Sequence, residues 1–283
     1  MGIDFSGFRF LRYCKNNGVD FENVCQIGRQ NCFFSSKEAE VEYGDFAEPL
    51  FRFLGAKNVG SVDYSDYQNA SIIHDMNQPV SENLKERFSV VIDGGTLEHV
   101  FNYPTAIKNC MEMVKTGGHL ILITPANNYF GHGFYQFSPE LFFSLLNEQN
   151  GFAQTQIFIK DDFLQWHKIK NPREIKSRVD ICCAENNESL IYVASKKISA
   201  VPEKLTVLQS DYVDLWQNGE KPVSGTNAKW CGNGMGYTIK SFVKKFIPNV
   251  ILCSIRKSKF KKLQNAKRST FYERINFNDS MGG

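Results

Sequence analysis

Apolar and polar positions alternate in a regular plan over roughly residues 20–200. Short apolar runs at 21–27, 58–63, 70–74, 88–92 and 119–124 read as strands. The first four end in a turn residue or an acid: Gly28, Asp63, Asp75, then Asp93-Gly94-Gly95. Between them lie stretches with helical spacing. Residues 45–54 predict a helix with Asp45 as cap, Glu48 three residues on and Gly55 as stop. A second follows Pro104, with Ala106, Ile107, Cys110, Met111 and Val114 along one face and Gly117-Gly118 ending it. Ser138-Pro139-Glu140 opens a third, running through Leu146. Two late strands, 155–159 and 190–195, have no helical pattern directly between them. Strands alternating with helices predict an α/β fold, a mostly parallel sheet covered on both faces. The late strands predict an antiparallel pair at one edge.

From residue 200 the character changes. Residues 216–237 are rich in Gly, Asn and Pro and read as loop. Residues 240–274 carry eight lysines, three arginines and one glutamate. That segment is therefore +10 against +3 for the whole chain, leaving −7 on the rest. The organisation expected is an α/β domain over 1–200 and a C-terminal extension over 201–283 with a loop and a basic segment. A basic extension on an acidic body predicts an anionic partner. Phe242, Phe246, Ile247, Val250, Ile251 and Ile255 among its lysines would suit peripheral contact with an anionic membrane surface. The competing expectation is that these apolar groups cover the main domain. Few aromatics interleave the lysines, which argues against nucleic acid. None of the eight cysteines forms a C-x-x-C pair, no His/Asp spacing signals a metal, and no apolar run reaches a membrane span. The N-terminal residues lack the basic start and apolar core of a signal peptide, so the expected compartment is cytoplasmic, with the inner membrane surface as the peripheral alternative.

Open α/β sheets bind ligands outside the carboxyl ends of their strands, which singles out Gly28, Asp63, Asp75 and Asp93. His99 follows Asp93 closely. The loop 125–137 places His132 between Gly131 and Gly133, amid Tyr129, Phe130, Phe134 and Tyr135, with Gln136 adjacent. An imidazole can take a hydroxyl proton near neutral pH. His132, His99 and Asp93 are thus the candidate catalytic groups, and Tyr129, His132, Tyr135 and Gln136 the candidate substrate contacts. The four aromatics would make an apolar lid.

The stretch Phe88-Ser89-Val90-Val91-Ile92-Asp93-Gly94-Gly95-Thr96-Leu97-Glu98-His99-Val100 resembles the fourth strand and following loop of the class I S-adenosylmethionine-dependent methyltransferases. Met113-Val114-Lys115-Thr116-Gly117-Gly118-His119-Leu120-Ile121-Leu122-Ile123 resembles their glycine turn and fifth strand, at the usual separation. The resemblance implies S-adenosylmethionine as cofactor, with Asp63 on the ribose hydroxyls, Asp75 on the adenine amino group and Met76 on the adenine face. It also implies Asp93 near the methionine amino group. The first turn departs from the family pattern: of its glycines only Gly28 remains, and Gln26 stands where a carboxylate is common. An amide still accepts a hydrogen bond. The loop after residue 124 resembles that of bacterial methyltransferase-like proteins of surface-polysaccharide assembly, which implies a sugar, glycan precursor or other small anionic acceptor. Two alternatives remain open: a methyltransferase-like module without catalysis, which the altered turn favours, and a nucleotide-dependent oxidoreductase, which the missing G-x-G-x-x-G disfavours.

Overall fold

Buried strands divide their side chains between two faces, and β6 (Phe88–Asp93) does this throughout its length. Val90 and Ile92 enter one apolar cluster; Val91 enters the other. β7 (Val114–Pro125) repeats the division, with Leu120 and Leu122 on one face and Ile121 and Ile123 on the opposite one. Successive residues of a strand point to opposite sides, so a strand covered on both sides must be apolar throughout. The computed structural model describes residues 2–34, 45–160, 166–175, 188–218 and 272–275. Apart from 272–274, the basic segment lies outside the described residues, as do the apolar residues assigned above to a membrane surface.

The remaining strands are β1 (Gly2–Ile3), β2 (Asn23–Ile27), β3 (Asn31–Cys32), β4 (Asn58–Asp63), β5 (Ile72–Ile73), β8 (Phe152–Lys160), β9 (Trp166–Ile169), β10 (Leu190–Lys197) and β11 (Tyr272–Ile275). Among the described residues they form one sheet in the order β11-β9-β8-β10-β7-β6-β2-β4-β5, plus the small pair β1-β3. The five strands from β5 to β7 are parallel. β10 runs antiparallel to both β7 and β8. The α/β plan expected from the alternation is the observed one. The late antiparallel pair, β8 with β10, lies on the β7 side as expected, and β9 and β11 continue that antiparallel edge.

The helices are α1 (Phe5–Asn16), α2 (Glu48–Phe53), α3 (Tyr103–Met113), α4 (Pro139–Leu145), α5 (Pro172–Ile175) and α6 (Ser210–Asn218). α1 and α2 cover one face with Phe8, Phe10, Leu11, Leu50 and Phe51; α3 and α4 cover the other with Ala106, Ile107, Cys110 and Phe142. α1 is capped by Asp4, whose Oδ1 accepts from Gly7 N–H at 2.7 Å. Two expected boundaries change. Ala47, not Asp45, caps α2; the Asp45 carbonyl instead accepts from Cys32 N–H. Gly117-Gly118 does not end α3, which stops at Met113. The pair lies within β7, where its register against β6 shifts.

His119 of β7 sits opposite Lys196 of β10. Burial, with the Lys196 charge, brings its imidazole from 6.5 down to about 4. The unfolded chain therefore takes up this proton first as pH falls, so stability present above about 6.5 is lost as pH falls towards 4. After a discount for partial exposure, the loss is about 1–2 kcal/mol. Urea unfolding at about pH 7 and about pH 4.5 should show His119→Gln losing less stability than the parent over that interval.

Candidate active site

The chain runs outward from β2 to β4 and β5, then returns to β6 and β7 on the other side of β2. The order reverses between β2 and β6, and the carboxyl ends of these strands open the crevice where such sheets bind ligands. Gly28 turns out of β2 with φ 66°, a left-handed value that suits glycine, and its N–H donates to the Val62 carbonyl at 2.7 Å. Gln26 is fully buried; its Oε1 accepts from Gln30 N–H at 3.1 Å. Gln30, equally buried, donates through Nε2 to the carbonyls of Ile27 (2.6 Å) and Gly28 (3.2 Å). Its amide lies so close to Gly94 that a methyl group there would collide with it. Gly2 N–H donates to the Gly94 carbonyl at 2.9 Å, so the first strand crosses the same strand ends.

Asp93 ends β6 with no exposure. Its Oδ1 accepts from the N–H groups of Thr96 (2.9 Å) and Leu97 (3.3 Å). Burial, reinforced by the Glu98 carboxylate, pushes its carboxyl well above the ordinary range. Glu98 is 1% exposed, and burial raises its carboxyl too. Its Oε1 lies 3.3 Å from His132 Nε2 and 3.9 Å from His99 Nε2. The two imidazole rings are 5.0 Å apart. Burial, and then the charge of His132, lowers His99. Buried polar atoms here that lack a hydrogen-bond partner include Gln26 Nε2, Gln30 Oε1, Asp93 Oδ2, Glu98 Oε2 and the Tyr103 hydroxyl.

The other strand ends are simpler. Asp63 ends β4 half-buried, with Oδ1 accepting from Tyr64 N–H at 2.7 Å. Asp75 Oδ1 accepts from the backbone and side chain of Asn77, bonds that hold its carboxyl below the usual range. Met76 is buried in the core cluster that also holds Ile27 and Val62, and its carbonyl accepts from Asn109.

On the β7 side, the fold brings His132 to His99 and Glu98. Tyr129 N–H donates to Gln136 Oε1 at 3.0 Å, closing the base of the loop. The Tyr129 ring stands 5.2 Å from His132, and burial pushes its phenol up to about 12. Tyr135 donates its hydroxyl to the Phe101 carbonyl at 2.6 Å. The aromatics do not close a lid: Phe130 is 98% exposed and Phe134 also faces solvent. Beside them a cavity of about 660 Å³ is lined by Tyr103, Asn127, Tyr135, Gln136, Phe137 and Leu141. Sequence reasoning missed two central residues, Gln30 and Glu98. An acid beside a histidine just past a strand end was the available signal for Glu98; nothing in the pattern marked Gln30.

No model of a known protein family matches the chain, and no curated protein matches it. Among solved structures, it is similar to a SAM-dependent methyltransferase from Archaeoglobus fulgidus, with 14% identity over 68% of this chain and 96% of that one, and TM-score 0.39. It is also similar to the N-methyltransferase NodS from Bradyrhizobium japonicum WM9 in complex with S-adenosyl-L-homocysteine, with 16% identity, 68% and 85% coverage, and TM-score 0.38. A third is the branched-chain polyamine synthase from Thermus thermophilus, with 11% identity, 71% and 58% coverage, and TM-score 0.40.

Proposed function

We propose that the chain is an S-adenosylmethionine-dependent methyltransferase. The observation that carries this reading is the set of unpaired buried polar atoms around the β2–β6 crevice. A buried polar group left without a partner costs about 1–3 kcal/mol, so several in one place point to a polar ligand that would satisfy them. Gln30 Oε1 and Asp93 Oδ2 are acceptors suited to an ammonium, and Gln26 Nε2 is a donor suited to a carboxylate. An amino-acid moiety carries both groups. Asp63 and Asp75, at the next two strand ends, suit a ribose and an adenine amino group. The residues therefore fit S-adenosylmethionine in both its halves.

When bound, S-adenosylmethionine supplies a methyl group on a sulfonium, open to in-line displacement. The chain's own work is alignment and exclusion of water. Asp93 holds the amino-acid end. Glu98, His99 and His132 form the acceptor end, with Glu98 orienting His132 towards a hydroxyl whose proton it receives. The acceptor in this reading is a sugar or glycan precursor: the Tyr103, Tyr135 and Phe137 rings offer apolar faces, and Asn127 and Gln136 offer amides for hydroxyls. The cytoplasmic setting, the 1–200 and 201–283 division and an anionic acceptor met by the basic segment belong to the same proposal.

A second reading, a binding module without catalysis, is favoured by one feature. Gln30 occupies the turn after β2, taking carbonyls that a glycine-rich turn would leave open. Calorimetric titration with S-adenosylmethionine separates the two. The methyltransferase reading expects saturable binding, weakened about tenfold or more by Asp63→Ala and by Gln30→Ala, each of which removes an acceptor. Absence of binding at millimolar cofactor would leave the module reading standing.

A further inference from the structure

We propose that Glu98, His99 and His132 form a site for one divalent first-row transition ion of the zinc or ferrous type. One ligand atom from each lies within 4.8 Å of the others. Ligands about 2.0–2.2 Å from one ion are at most about 4.4 Å apart. The Glu98–His132 and Glu98–His99 separations, 3.3 and 3.9 Å, already meet that limit. The His99–His132 span closes by a small rotation of His132, whose loop is flanked by Gly131 and Gly133, with open space at Gly131.

The charge arrangement asks for a cation. Glu98 is almost wholly buried and its Oε2 has no partner, and the same holds for Asp93 Oδ2. Among the described residues, the ion pairs of Glu98 are with the two histidines alone, and Asp93 has none. Besides the two histidines, the positive charge acting on Glu98 is the chain's amino terminus; two buried carboxylates without a lysine or arginine are costly in a low dielectric, and a divalent ion offsets both. Two imidazoles and a carboxylate, without thiolate, suit zinc, ferrous iron, manganese or cobalt better than calcium or cuprous copper. His99 and His132 are 40% and 44% exposed, so the remaining coordination positions face the crevice mouth. A three-ligand site with open positions is the catalytic type, not the closed structural type. In it His132 is a ligand in place of the proton acceptor described above, and the ion holds and polarises the acceptor oxygen so that its proton is lost to water. That last role rests on the methyltransferase reading; the ion site itself does not.

The test uses the full chain, stripped with chelator and titrated separately with Zn²⁺ and Co²⁺. The expected result is one equivalent bound. The cobalt spectrum should lack a thiolate charge-transfer band, since the ligands are nitrogen and oxygen. His99→Ala and His132→Ala, both at half-exposed positions, should bind at least about tenfold more weakly while keeping the parent's circular dichroism. The proposal is overturned if the parent binds neither ion. It is equally overturned if a thiolate band appears and both variants keep the parent affinity, because the ion then sits on cysteines elsewhere. Cofactor titration is a separate measurement, so failure of either proposal leaves the other readable.

Discussion

His132→Ala is expected to lower turnover by about a hundred- to ten-thousandfold while leaving affinity for S-adenosylmethionine unchanged. The separation follows from position. The proposed cofactor contacts, Asp63, Asp75, Gln30 and Asp93, lie at the ends of β2, β4, β5 and β6. His132 instead stands on the loop after β7, 3.3 Å from Glu98 on the acceptor side. The loss follows whether the imidazole takes the acceptor's proton itself or ligates an ion that activates the same oxygen. Release of S-adenosylhomocysteine, measured with an acceptor that supports turnover, gives kcat, and calorimetry gives cofactor affinity. An unchanged kcat would reduce the loop to scaffold. Equal losses in both quantities would place His132 on the cofactor instead.

Lys197→Met is expected to cost about 3 kcal/mol of stability, a fall in Tm on the order of 10 °C for a domain of this size. Lys197 is 1% exposed, and its Nζ donates to the carbonyls of Met111 (3.0 Å) and Val114 (2.8 Å), where α3 meets β7. A helix leaves its last carbonyls without partners, and a cation there also meets the negative end of the helix dipole. Methionine keeps the apolar stem and removes the donor, leaving those carbonyls buried and unsatisfied. Lys197 also pairs with Glu86, whose side chain is 43% exposed. Glu86→Gln should therefore cost no more than about 1 kcal/mol. Thermal unfolding of both variants decides the matter, because equal losses would assign the effect to the ion pair and not to the cap.

Much of the architecture was legible because burial on both faces writes itself into composition. A central parallel strand has to be apolar at nearly every position, as 88–92 and 119–124 are. A helix covering the sheet has to repeat its apolar face, as Ala106, Ile107 and Cys110 do. α1 was not legible in the same way. Gly7 sits within its first turns, where glycine disfavours a helix. There α1 packs closely, and a Cβ would meet the Ile3 and Ile123 methyl groups at 3.0 and 3.1 Å. β9 and β11 were missed because each is four residues long, too short to show a period.

The sequence alone determined the strand ends at the crevice, since the runs at 21–27, 58–63, 70–74 and 88–92 each stop at a glycine or an acid. With them came the crevice candidates Gly28, Asp63, Asp75 and Asp93. The tertiary structure decided what those positions face. It put Gln30 into the turn after β2, because buried carbonyls of Ile27 and Gly28 need a donor that the chain supplies from two or three residues away. It buried Lys197, which reads as an ordinary charged strand end, because α3 finishes directly beneath it. It also joined His132 to Glu98 and His99 across two different loops. Ligand spacing in a sequence reports only groups held by one local element, whereas this cluster exists because β6 and β7 are neighbours in the sheet and their following loops meet.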